Sequence, residues 1–263
     1  MTEELPLTGG DIHVGDDTVV RVGDTVRRPA GPQTPAVHAL LDHFAKDGLE
    51  GVPRVLGFDE RGREILTHVP GEAALAPVPA SDDLVFELGA FLREMHDCQR
   101  EFSPDPAAPW QRLVGAPATG EVVCHNDLFW PNVIVEGNRL RGVIDWDLAA
   151  PGPRLHDLAS AANLWLPLRP DEHAEAWGLP TDRRDVRARA LCDGYGLPRA
   201  ERPAILDAVL ERATIARATF HLWGRDERRP GWAHMWDRDQ DRYLVGRDAW
   251  VAEHAATIRS WLL

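Results

Sequence analysis

At 263 residues, 44% hydrophobic and 27% charged, the chain has ordinary globular composition and enough length for two lobes, which excludes a disordered or membrane-embedded class. A net charge of −13 disfavours nucleic-acid backbones, whose binding needs clustered Lys and Arg, and suits either a solvated acidic surface or a cationic partner. Cys98, Cys124 and Cys192 are too few and too scattered for a disulfide framework or a zinc site.

The first ten residues, MTEELPLTGG, lack a basic segment followed by an apolar one, and no later stretch is apolar enough to span a bilayer, so a cytoplasmic location away from membranes is expected. Residues 19–29, VVRVGDTVRRP, predict a hairpin turning at Gly23-Asp24. Thr34 then caps a helix with Pro35 at its first position; Val37, Leu40, Leu41 and Phe44 follow at helical spacing, and Gly48 ends it. VPRVLGFD (52–59) and EILTHV (64–69) predict a second hairpin.

Pro70-Gly71 and the spaced prolines of AALAPVPA read as a connector. Ser81, Asp82 and Asp83 open a helix with the apolar stripe Leu84, Leu88, Phe91, Leu92 and Met95. Further helices are expected near 155–165, 182–195, 201–224 and 238–262, with Trp223, Trp236, Trp250 and Trp261 in their core.

Between the short strands VVC and VIV lies HNDLFWPN (125–132). An aspartate on such a loop, Asp127, can accept the proton of an attacking hydroxyl or orient it, while Asn132 turns an oxygen to a metal. A further carboxylate, Asp145 in GVIDWD, arrives at a strand end thirteen residues after Asn132. Asn132 and Asp145 form an oxygen pair suited to Mg²⁺, which takes one or two protein oxygens plus substrate phosphates and water.

HNDLFWPN, VIDWD (143–147), HDLA (156–159) and LGAFLREMHD (88–97), in this order, resemble the aminoglycoside phosphotransferase family, within the protein-kinase-like fold. The resemblance implies an α+β, bilobal protein-kinase-like fold. A small N-terminal antiparallel-sheet lobe with one helix (1–69) would bind nucleotide, and a larger, mainly helical C-terminal lobe (70–263) would carry catalysis and the acceptor, with a hinge at about 67–71. It implies Asp127 as the catalytic aspartate and Asn132 and Asp145 as Mg²⁺ ligands. His125 and Asp157 would shape the loop, the latter by accepting hydrogen bonds at a helix start; Asp147 could assist the metal, contact substrate or be merely exposed. Backbone groups of His68 and Val69 would meet the purine of ATP or GTP.

The chain departs from the family pattern where a small-lobe lysine normally meets the phosphates. Lys46 is its only lysine, so the contact falls to Arg28, which shares a strand face with Val26 and not with Arg27. Val37 and His38 stand where a helix glutamate would orient that lysine, and Gly9-Gly10 is the candidate phosphate-covering turn, with Gly15 the remaining glycine before the first strand. The expected activity is Mg²⁺-dependent O-phosphotransfer to a hydroxyl of a small molecule, an aminoglycoside-like or other aminated antibiotic or metabolite, whose ammonium groups acids such as Asp207, Glu211, Asp237, Asp239 and Asp241 could bind. The alternatives are a kinase of a peptide hydroxyl in natural-product biosynthesis and a nucleotide-binding pseudoenzyme.

Overall fold

The two hairpins meet in one sheet. The computed structural model describes residues 3–7, 19–75, 81–105, 107–238 and 240–263. Strands β1 (Leu5–Pro6), β2 (Val20–Val22) and β3 (Thr25–Arg28), then β4 (Val55–Phe58) and β5 (Glu64–Thr67), form an antiparallel sheet in the order β1-β2-β3-β5-β4. Because β3 pairs with β5 in register, Arg28 faces Glu64 across the ladder.

Helix α1 (Thr34–Asp47) carries its apolar stripe into the core shared with Leu66 of β5. Thr34 is its first helical residue and not its cap: Thr34 Oγ1 accepts the Gly31 N–H at 2.9 Å, so the hydroxyl fastens the preceding turn. Gly48, left-handed at φ 82°, ends the helix as expected.

Beyond residues 68–71 the chain leaves this sheet. Strand β6 (Glu72–Ala73) pairs with β8 (Val133–Glu136), which pairs with β9 (Arg139–Val143), and β7 (Val122–Cys124) pairs with β10 (Ala150–Gly152). Helix α2 (Asp82–Asp97) begins where Ser81 Oγ accepts the Leu84 N–H at 3.1 Å, and the whole predicted stripe from Leu84 to Met95 is buried. The remaining helices are α3 (Arg154–Trp165), α4 (Asp171–Ala176), α5 (Arg184–Tyr195), α6 (Ala204–Thr219), α7 (Pro230–Asp237), α8 (Gln240–Glu253) and α9 (Ala255–Leu262). The architecture is thus α+β, a small antiparallel-sheet lobe beside a larger helical part.

Helix α2 packs on α5 through glycines: a Cβ on Gly89 would stand 2.4 Å from the Leu191 carbonyl oxygen, and one on Gly194 2.0 Å from that of Phe86. The two backbones can touch only without those carbons, and this contact anchors α2 behind the site.

The helical part departs from expectation in three places. Helices α4 and α7 are only 6 and 8 residues long, too short for a periodic signal. The predicted helix over 238–262 is broken at His254, whose Nδ1 turns back to the Trp250 carbonyl at 2.8 Å. Of the four tryptophans assigned to the core, Trp223 is buried, while Trp236, Trp250 and Trp261 are half-buried. Trp250 and Trp261 still pack against the core, and they also hold the Arg184 guanidinium at 5.0 and 5.8 Å from their ring centres.

Candidate active site

The loop 125–132 is built from behind. Asp157, in the first turn of α3, is fully buried and accepts the backbone N–H groups of His125 and Asn126, each at 2.9 Å. His96 of α2 reaches the same carboxylate at 3.1 Å, and its other ring nitrogen lies 2.9 Å from the Tyr195 hydroxyl. Burial opposes the Asp157 charge, but the bonds from His96 and the loop outweigh it and hold the carboxyl below the usual carboxylate range.

Asp157→Ala would strand these buried donors and is expected to lower stability by about 3 kcal/mol at pH 7. Because the folded-state pKa is depressed, this contribution is present above the unfolded value and fades as pH falls through the folded one. Urea unfolding should therefore show the gap between wild type and variant closing towards pH 3; an equal gap at pH 3 and 7 would assign the loss to packing alone.

Asn126 adopts the left-handed conformation at φ 67°. Its Nδ2 donates to the Leu148 carbonyl at 3.0 Å, while Arg212 donates to its Oδ1 at 2.9 Å and its carbonyl at 2.8 Å. These bonds hold the turn that delivers Asp127. His125 Nε2 donates to the Ile144 carbonyl at 3.0 Å, and its Nδ1 accepts the Asp127 N–H at 3.2 Å. One nitrogen donates and the other accepts, so the ring is neutral, and burial lowers its pKa accordingly. His125 thereby ties the Asp127 loop to the segment carrying Asp145.

Asn132 Nδ2 donates to Asp127 Oδ2 at 2.9 Å and to the Asp127 carbonyl at 3.0 Å, which leaves Asn132 Oδ1 as an oxygen donor. Asp145 sits past the end of β9 at φ 64°, an unfavourable conformation held by neighbouring backbone bonds: Val143 N–H to the Gly51 carbonyl and Ile144 N–H to that of Asn132, both 2.8 Å. Gly142 permits the first, since a Cβ there would fall 2.1 Å from the Gly51 oxygen. Burial, and then repulsion by Asp145, outweigh the hydrogen bond from Asn132 and push the Asp127 carboxyl up to about 7.

Arg28 crosses from the small lobe into this group. Its Nη1 lies 3.1 Å from Asp145 Oδ1, its Nε 2.9 Å from Glu64 Oε1, and its Nη2 pairs with Asp147. Burial works against the guanidinium charge, but the carboxylates of Asp145, Asp147 and Glu64 overcome it and raise the pKa. His38 of α1 lies 2.7 Å from Glu64 Oε2. The carboxylate that orients the basic residue therefore comes from β5, and α1 supports it through a histidine.

The structure thus brings Arg28, His125, Asp127, Asn132, Asp145, Asp147 and Asp157 into one connected network. His68 and Val69 lie where the chain leaves the sheet, and the His68 N–H donates to the Asp24 carbonyl at 2.9 Å, so that group is not free for a base. Gly9, Gly10 and Gly15 lie outside the described residues. Glu64, His96 and Arg212 were not singled out from sequence. Glu64 was findable from strand register; Arg212, 86 residues from Asn126, left no signal.

Asn132, Asp145 and Asp147 offer only oxygen, the donor type hard divalent cations take. No cluster of three or more His, Cys, Asp or Glu that could hold a metal occurs among the described residues, so a cation here would draw on Asn132, Asp145 and groups from its substrate.

Beside Asp127 opens a cavity of about 180 Å³. Leu113, Leu148, Leu164, Phe220 and Trp232 give it apolar walls, and Asn163, Arg212 and Arg247, with Asn126, Ser160 and Thr219, its polar ones. The α6 helix widens into a π-helical segment, Phe220–Asp226, at this wall. None of the acids expected to bind ammonium groups lines it: Asp207 pairs with Arg259, Asp237 with Arg228, and Glu211 lies near His156. Asp239 and the side chain of Asp241 lie outside the described residues. A larger recess of about 660 Å³, between Arg184, Trp250 and Trp261, shares no residue with the site.

A family model described as a phosphotransferase enzyme family matches residues 12–114 and 107–189. The trifolitoxin immunity protein of Rhizobium leguminosarum bv. trifolii is 33% identical over 273 aligned residues, covering 100% of both chains. An amicoumacin kinase solved with AMP-PNP and Ca²⁺ superposes with a TM-score of 0.61 at 14% identity, over 92% of this chain and 87% of that one. The GDP complex of aminoglycoside 2'-phosphotransferase-IIIa gives 0.58 at 16% identity, over 92% of each chain. The second lobe, the loop with its aspartate and asparagine, and the whole-length relative agree: the chain belongs to the phosphotransferase enzyme family.

Proposed function

We propose that the protein transfers the γ-phosphoryl group of Mg²⁺-chelated ATP or GTP to the hydroxyl of a small molecule in the cytoplasm. The observation that carries this reading is the convergence of Asp127, Asn132, Asp145 and Arg28, drawn from both lobes, beside a cavity that opens on Asp127. Asp127 accepts the hydroxyl proton as the acceptor oxygen bonds to the γ-phosphorus; the bond from that phosphorus to the β–γ bridging oxygen breaks, and a phosphate ester and nucleoside diphosphate result. Asn132 and Asp145 would hold Mg²⁺, which when bound offsets charge on the phosphates. Arg28, ion-paired to Asp145 and Asp147, would supply the phosphate contact usually made by lysine. The carbonyl of His68 and the backbone of Val69 would meet the purine, with residues 1–69 and 70–263 as the two lobes. No described helix is long and apolar enough to cross a membrane.

The name of the 33% identical relative, a trifolitoxin immunity protein, supports protection against a toxin as the biological outcome. Acceptor-dependent release of ADP or GDP tests the reading. Asp145→Asn is expected to raise the Mg²⁺ concentration for half-maximal nucleotide binding by about 10-fold, measured by calorimetry. An unchanged Mg²⁺ titration would remove Asp145 from the metal site.

A further inference from the structure

The cavity at Asp127 is walled by a core of its own. Leu113, Leu148, Ile215 and Trp223 form a small buried cluster apart from the main core, with Trp232 packed against it. The Trp232 ring stands edge-to-face with Phe220 and with Trp223, their ring centres 5.2 and 5.1 Å away. Gly224 permits this: a Cβ on it would fall 2.8 Å from the Trp232 carbonyl oxygen, so α7 closes against the π-helical segment only over a glycine. Thr219 fastens the segment bearing Leu113, its Oγ1 accepting the Val114 N–H at 2.9 Å and donating to the Ile215 carbonyl at 2.8 Å. The fold thus locks an apolar, partly aromatic wall beside a carboxylate.

The polar part of that wall is occupied in building it. Asn126 bridges the Leu148 carbonyl and Arg212, and Arg247 pairs with Asp248 through Nε and Nη2 at 3.0 and 2.7 Å. Ser160 Oγ accepts the Leu128 N–H at 3.5 Å, and Asn163 Oδ1 has no surface open to the cavity. Asp127 is the one carboxylate among the described lining residues, and the transfer reading commits it to the reacting hydroxyl. A polyhydroxylated ring would have to bury its other hydroxyls against leucine and tryptophan, each unpaired one at a cost on the order of 10-fold in affinity. An apolar group gains from the same walls. The volume of about 180 Å³ sets the size, since an apolar cavity of about 150 Å³ takes one benzene ring.

Resting on the phosphotransfer reading above, we infer that the acceptor presents its hydroxyl on an apolar group about one ring in size, and that Trp232 is the residue that selects it. The group lies against Trp232 and Phe220 while its hydroxyl oxygen bonds to the γ-phosphorus and its proton passes to Asp127. A larger acceptor keeps its remainder outside the cavity.

Cyclohexanol and myo-inositol share a ring and differ in carrying a single hydroxyl or one on every carbon, so the pair isolates the property at issue. Both, with ethanolamine, are titrated into the full chain and followed by NMR; phosphate incorporation is then measured with Mg²⁺ and ATP or GTP. Cyclohexanol is expected to bind at least about 10-fold more tightly than either of the others, Trp232→Ala to lose about 10-fold on it, and Trp232→Phe to keep most of the affinity. Nucleotide affinity should stay unchanged in both variants, which controls for folding. Equal or tighter binding of myo-inositol or ethanolamine, no binding of cyclohexanol, or an affinity indifferent to Trp232 overturns the acceptor class even if transfer occurs. Cyclohexanol that binds through Trp232 but gains no phosphate overturns the transfer reading and leaves the cavity's ligand class standing.

Discussion

Replacing Asp127 with asparagine is expected to lower acceptor-dependent turnover by about 10³-fold while raising the stability of the metal-free protein at pH 8. The two effects have one cause. Asp127 is buried and repelled by Asp145, so its carboxyl titrates at about 7 instead of the ordinary value near 3.8. A raised folded-state pKa means that the folded protein binds more protons than the unfolded chain between these values. Stability therefore falls as pH rises through that window, and the full penalty is present above about 7. Asparagine keeps an oxygen for the Asn132 N–H and carries no charge, so it removes the penalty. Thermal melts in EDTA should show Asp127→Asn above wild type at pH 8 and nearly level with it at pH 4. A variant less stable at pH 8, or one that retains turnover, would break the link between strain and proton acceptance. The proposed proton acceptor is thus a group that the fold would rather keep neutral.

Why so much of the site could be read in advance follows from what each feature needs. Asp127 and Asn132 share one short loop, and Asp145 follows the apolar run Gly142-Val143-Ile144 at a strand end, so spacing and pattern are local and survive in the sequence. The same holds for the two hairpins, for α1 and for the stripe of α2. What escaped depends on distance along the chain. Arg212 holds Asn126 across 86 residues, and His96 reaches Asp157 across 61. No periodicity records either contact. Glu64 is an intermediate case: it lies in a predicted strand, and only the antiparallel register of β3 with β5 sets it opposite Arg28. His38 was visible as an oddity, a histidine where a glutamate belongs, and its meaning came with Glu64. The acidic tail misled for the opposite reason. Those carboxylates are a compositional fact, and the described ones among them turn to arginines or a histidine on neighbouring elements instead of the cavity.

Arg28→Ala is expected to cost about 3–5 kcal/mol, because it leaves Glu64 buried and Asp145 and Asp147 facing each other without their shared cation. Nucleotide affinity should fall with it, and by far more than in Arg27→Ala, since the Arg27 guanidinium turns to Thr25 on its own strand. Loss of affinity confounded by unfolding is resolved by a second pair of variants. Arg28→Lys keeps the charge but not the planar fork that meets three carboxylates at once, so it should fold and bind nucleotide with intermediate affinity. Arg28→Met combined with Glu64→Gln removes the buried charge on both strands; it should regain part of the stability by urea unfolding and none of the affinity by calorimetry. If the double variant recovered both, the arginine would be a structural strut and the phosphate contact would have to come from elsewhere in the small lobe. If Arg27→Ala proved the more damaging change, the outward face of β3 would be the one turned to nucleotide. The distinction matters because the two readings give Arg28 different work: in one it only neutralises Glu64, Asp145 and Asp147, and in the other the same guanidinium also meets the nucleotide phosphates.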